Sequence, residues 1–96
     1  MNIKNEEHGA KGAFFIEGDD GEWIAEMTYR KIAGGSTIIV DHTEVDDSLQ
    51  GKGVGKDLVE AGVDFARKNN IKIVAQCSFA KKVIDETPEF QDVLAD

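Results

Sequence analysis

STIIVDHTEVDDSLQGKGVGKDLVEAGVDFARKNNIKIVAQC, residues 36–77, changes its hydrophobic period twice. Residues 36–45 are rich in β-branched side chains and read as a strand. From Val54 onward, Leu58, Val59, Gly62, Val63, Phe65 and Ala66 recur at helical spacing. Asp57, Glu60, Asp64, Arg67 and Lys68 fill much of the other face. This pattern predicts an amphipathic helix of about 16 residues, ending at Asn69-Asn70. Ile71-Lys72-Ile73-Val74-Ala75 then opens a second apolar strand, over 71–77. Strand, helix and strand with tight joints form a βαβ unit, so 36–45 and 71–77 should lie parallel.

Toward the N-terminus the pattern turns antiparallel. KGAFFIE (11–17) and EWIAEMTYRKIA (22–33) flank GDDG at 18–21, a strong hairpin signal. In the second run Trp23, Ala25, Met27 and Tyr29 alternate with Ile24, Glu26, Thr28 and Arg30, a period of two. Trp23 and the Phe14-Phe15 pair read as core. Gly34-Gly35 makes the next turn, and residues 2–7 add an edge strand. In the tail, Phe79, Val83 and Ile84 keep helical spacing. A break follows at Thr87-Pro88, and a last turn carries Phe90, Val93 and Leu94. The expected class is α+β, one domain over 1–96: a mostly antiparallel sheet with one parallel βαβ crossover and C-terminal helices.

Composition narrows the function. Eleven basic against nineteen acidic residues give a net charge of −8, which argues against nucleic acid or an anionic membrane as main partner. No apolar run approaches the ~20 residues of a membrane span, and the start, MNIKNEEHGAKG, lacks a signal-peptide core. A single cysteine, Cys77, cannot form an internal disulfide and fits a reducing cytoplasm. The acids fall in clusters at 17–22, 41–47 and 85–96. They suit solvated turns and helix faces, or a cationic, amine-bearing acceptor; composition leaves both open.

Between strand and helix lies SLQGKGVGKDL (48–58), a loop suited to an anion. A Walker A loop would need glycine at Gln50 and a hydroxyl at Asp57. The Gly-x-Gly-x-x-Gly pattern fails at Lys56 and Leu58. Gln50-Gly51-Lys52-Gly53-Val54-Gly55 does match Gln/Arg-x-x-Gly-x-Gly/Ala, and so resembles the coenzyme A pyrophosphate loop of the GCN5-related N-acetyltransferases. The chemistry suits that role. Glycines let the backbone approach a ligand closely, and amide N–H groups at a helix start converge on phosphate. Lys52 and Lys56 add positive charge. The resemblance continues through DHTEV (41–45), residues 50–80 and PEFQDVL, and is similar to a small single-domain branch of that family.

The resemblance implies a reduced acetyltransferase fold without the N-terminal helical pair that helps cover the acceptor in larger members. It implies acetyl-CoA as co-substrate, no metal, and an amine acceptor, small or protein. The pantetheine arm would enter between the splayed parallel strands, near Thr43, Glu44 and Val45. Residues Gln50, Gly51, Lys52, Gly53, Val54, Gly55 and Lys56 would hold the pyrophosphate, with Phe79 also against the coenzyme. In the Cys77-Ser78-Phe79 segment, Cys77 is either a nucleophile, a proton donor to the leaving thiolate, or a small buried hydrophobe. His42 is a candidate base or a surface residue. Alternation puts His42 and Glu44 on one face and Thr43 and Val45 on the other. Larger members commonly carry a tyrosine acid after the last parallel strand. Here the sole tyrosine is Tyr29, and Phe79 stands in the acid's place. The alternative to an enzyme is a coenzyme A or acyl-CoA binding module without robust catalysis.

Overall fold

The computed structural model describes residues 2–95. Five strands lie in sequence order: β1 (Lys4–His8), β2 (Lys11–Glu17), β3 (Trp23–Ile32), β4 (Thr37–Val45) and β5 (Lys72–Ala75). The first four pair antiparallel, and β4 pairs with β5 in parallel. Helix α1 (Val54–Lys68) makes the crossover, α2 (Ser78–Asp85) follows β5, and a 3₁₀ segment occupies Pro88–Val93. The expected α+β class and its one parallel crossover are the architecture found.

All the helices lie on one face of the sheet. Leu58, Val59, Val63 and Ala66 of α1, with Ala80 and Ile84 of α2, bury against Phe14, Ile16, Met27, Tyr29, Ile38 and Val40. Gly62 lets α1 approach closely: a Cβ there would stand 2.8 Å from Met27 Cε. Asp57 in the first turn and Arg67 and Lys68 in the last complement the helix dipole. Arg67 also ties down the tail through Asp92 (Nη2 to Oδ1, 2.7 Å).

Two features depart from the sequence reading. Trp23 is 38% exposed, not core. Ile16 pairs with Ala25 while Glu17 pairs with Trp23, so Ile24 is an extra residue that turns Trp23 to the helix-free face. There it stacks on Phe15, with centroids 4.0 Å apart. Strand β5 also stops at Ala75, because the amides of Gln76 and Cys77 both donate to Val40 O (3.0 and 2.9 Å).

Candidate functional site

That shared carbonyl opens the site. Beyond Val40, β4 runs on to Val45 with β3 on one side and no β5 partner on the other. A second irregularity decides which side chains look into the gap. Thr28 pairs with His42 and Tyr29 with Val40, leaving Asp41 as a bulge. After it the alternation is reversed. Thr43 and Val45 face the helices, while His42 and Glu44 face the opposite side, bonded to each other (Nε2 to Oε2, 3.2 Å).

The glycine loop closes the end of the gap. Gly51 (φ +80°) and Gly53 (φ +73°) occupy the left-handed region, which L side chains rarely adopt. The first bond of the α1 ladder runs from Asp57 N–H to Gly53 O, 3.0 Å. The amides of Val54, Gly55 and Lys56 therefore stand ahead of it without intrahelical acceptors, at the positive end of the helix dipole. Gly55 is required for a different reason: the Phe79 ring lies against it, and a Cβ would come within 2.5 Å of Cζ. Gln50 closes the loop on the strand by donating from Nε2 to Val45 O (3.3 Å).

These elements enclose a cleft of about 360 Å³, lined by Thr43, Val45, Gln50, Gly51, Gly53, Val54, Gly55 and Phe79. Its size falls in the range of small-molecule sites. Leu49 completes the lining and escaped the sequence reading. Its signal was available, since it is the one apolar side chain in the polar run DDSLQGKG. Lys52 and Lys56 are exposed beside the loop, and Glu44 and His42 lie across β4 from the cleft. Unpaired helix-start amides, an open strand edge and a partly apolar trough could hold a pyrophosphate and an extended arm such as those of coenzyme A. Among the described residues, no group of three or more His, Cys, Asp or Glu could hold a metal ion.

Cys77 is half-buried as the N-cap of α2, next to the cleft and not in its lining. Its Sγ lies 3.4 Å from Thr43 Oγ1. Burial, the largest single influence, pushes the thiol pKa up. Hydrogen bonds from the Thr43 hydroxyl and from the amides of Ala80, Phe79 and Thr43 together outweigh it, and the net shift is downward. This environment favours the thiolate. Tyr29 is held differently. It is buried among Phe14 and Phe65, donates to Glu7 Oε2 (2.7 Å) and accepts from Asn5 Nδ2 (3.0 Å). Burial first, then Glu7, raises its pKa far from any use as an acid at neutral pH.

A family described as GCN5-related N-acetyl-transferase matches residues 13–93. The solution structure of a GCN5-like protein from Staphylococcus aureus superposes with a TM-score of 0.73 at 42% identity, covering 98% of this chain and 89% of that one. Tetrahymena GCN5 shares the fold, with a TM-score of 0.65 at 16% identity over 91% of this chain and 62% of that one. Protein NATD1 of Xenopus tropicalis is 34% identical over 55 residues, 57% of this chain. That match spans half the length of the frog protein.

Proposed function

The chain belongs to the GCN5-related N-acetyltransferase family, and from that premise we propose that it moves an acetyl group from acetyl-CoA to a primary amine, with Cys77 as the carrier. The observation behind this reading is a convergence. The helix-start amides and the unpaired edge of β4 meet at one cleft, and the Cys77 thiol, its pKa lowered, lies against Thr43 of the cleft's lining.

In the proposed sequence the amides of the Gln50–Lys56 loop bind the pyrophosphate, and the edge of β4 from Thr43 to Val45 aligns the pantetheine. The Cys77 thiolate attacks the thioester carbonyl carbon. The bond from that carbon to Cys77 Sγ forms as its bond to the coenzyme sulfur breaks, and the departing thiolate takes a proton from solvent. A neutral amine then attacks S-acetyl-Cys77. The amide C–N bond forms, the Cys77 thiolate is released, and the amine proton leaves to solvent or to His42. His42 can serve only an amine that arrives from the helix-free side. Thr43, through its hydroxyl and its amide, stabilises the thiolate form of Cys77.

A second reading is coenzyme A binding without robust turnover. It draws on Phe79, which cannot donate a proton where larger family members commonly place tyrosine, and on the locked Tyr29 hydroxyl. Intact-mass measurement after mixing the protein with acetyl-CoA alone separates the two. The carrier mechanism predicts one acetyl group on the wild type and none on Cys77→Ala, followed by discharge when lysine amide is added. Binding without acetylation of Cys77, and without thiol release in the presence of amines, would leave the module reading.

A further inference from the structure

Cys77 is fastened to β4 at two points. Its backbone N–H donates to Val40 O (2.9 Å), and its Sγ lies 3.4 Å from Thr43 Oγ1. Val40 and Thr43 are three residues apart, and in a regular strand an odd separation puts two side chains on opposite faces. Here both turn to the helices: Val40 is in the core and Thr43 lines the cleft. The extra residue between them, Asp41, makes this possible. Asp41 and His42 are accordingly the one pair of consecutive exposed residues in β4.

Composition does not dictate this bulge, since none of Val40, Asp41 and His42 is glycine or proline. A bond from the neighbouring strand holds it instead. Thr28 Oγ1 donates to Asp41 Oδ1 at 2.6 Å, and Thr28 is the residue at which the β3–β4 register shifts. Thr28 lies between the core residues Met27 and Tyr29, so its own side chain points to the helix-free face. The bond draws Asp41 to that face, His42 follows, and Thr43 turns back to the cleft. We infer that Thr28 and Asp41 are positioning residues for Cys77: their bond sets the bulge, the bulge sets Thr43, and Thr43 together with Val40 O sets the thiol. This rests on Cys77 as the acetyl carrier and adds two residues from the far side of the sheet.

Two other roles for the pair lead to different results. As an ordinary cross-strand contact it would affect unfolding and leave the thiol alone. Through its charge, Asp41 would disfavour the thiolate, so removing it would lower the thiol pKa. Positioning has the opposite sign, because a bulge set free withdraws the Thr43 hydroxyl and amide that favour the thiolate. The ionisable groups on the elements around Cys77 are Asp41, His42 and Glu44 of β4, Lys81 of α2, and Lys56 and Asp57 of α1, all exposed. Of these, only Asp41 is altered in the variants below.

Cys77 is the only cysteine, so its alkylation by iodoacetamide across pH reads this thiol without coenzyme or acceptor. Thr28→Val, which removes the donor and keeps the shape, should raise the alkylation midpoint by about half a pH unit. Asp41→Ala should raise it as well, and Thr28→Ser should keep the wild-type value. Loading of Cys77 from acetyl-CoA, followed by intact mass at neutral pH, should slow about threefold in Thr28→Val and proceed normally in Thr28→Ser. A midpoint unmoved in Thr28→Val, a midpoint lowered in Asp41→Ala, or a serine variant that behaves like valine would each overturn the assignment. Because alkylation needs no coenzyme, the two ideas fail separately. A raised midpoint in a protein whose wild type never takes up acetyl refutes the carrier and keeps the positioning pair. An unmoved midpoint in a protein that does acetylate Cys77 refutes the positioning pair alone.

Discussion

Gly55 and Cys77 show how little separates a turn from a site. A methyl group on Gly55 would collide with the Phe79 ring, whose flexible end must then swing into the cleft. We expect Gly55→Ala to weaken coenzyme A binding about tenfold, or ~1.4 kcal/mol, and Phe79→Leu to recover part of that loss in the double variant; calorimetry on the four proteins of the cycle checks it. For Cys77 the sign is equally definite. The hydrogen bonds that outweigh burial favour the charged form, so the thiolate fraction at neutral pH rises. The rate of iodoacetamide alkylation should reach half its maximum below the ~8.5 of a free thiol, and Thr43→Val should move that midpoint upward. At this scale the sequence was informative where chemistry is local. Glycines, lysines and a lone cysteine announce themselves by type, but the contact of Phe79 with Gly55 depends on how α2 sits against α1. Leu49 was missed because an apolar loop residue looks like an anchor until the cleft beside it is seen.

At the scale of elements, the two bulges do the sorting. Alternation along 41–45 correctly separates His42 and Glu44 from Thr43 and Val45. It cannot say which pair meets the helices, since that depends on the extra residue at Asp41. The same device turns Trp23 away from a core that its spacing with Ala25, Met27 and Tyr29 suggests. A bulge has no composition of its own here, as neither Ile24 nor Asp41 is a glycine, so it was invisible in sequence. Deleting Asp41 should restore simple alternation and exchange the two faces of residues 42–45. We expect the deletion variant to fold, with a circular dichroism spectrum like the wild type's, and to lose detectable coenzyme A binding. Binding at wild-type strength would mean that the bulge does not orient the site.

Across the whole molecule, the strand–helix–strand signal over 36–77 and the hairpin at 18–21 were enough to derive the sheet order. Each joint is too short to permit another path. Which face stays bare was not legible, because both faces of β2 carry apolar residues: Phe14 and Ile16 on one, Ala13 and Phe15 on the other. The edge of the sheet is held by a polar latch instead of a core. Lys31 Nζ bonds Glu7 Oε1 at 2.8 Å, and the Tyr29 hydroxyl donates to Oε2. The Lys31 bond first, then Tyr29, lowers the Glu7 pKa below its ordinary value of 4.5. A depressed carboxylate stabilises the fold above its unfolded pKa, and that contribution disappears as pH falls through the folded one. Glu7→Gln should therefore cost about 0.5 kcal/mol at neutral pH, a magnitude suited to a solvent-screened pair. Urea unfolding should show the gap closing as the medium is taken to acid.

The binding expectations among these depend on the glycine loop as the seat of coenzyme A. Gly53 tests it most directly: its φ of +73° tolerates no side chain without strain, yet nothing lies within 4 Å of where a Cβ would stand. Gly53→Ala thus alters the loop's backbone without striking a neighbour. Isothermal titration of coenzyme A into wild type and Gly53→Ala should give micromolar binding that the substitution weakens at least tenfold, or ~1.4 kcal/mol. A wild type that takes up no coenzyme A, or a variant that binds it equally well, would contradict the account.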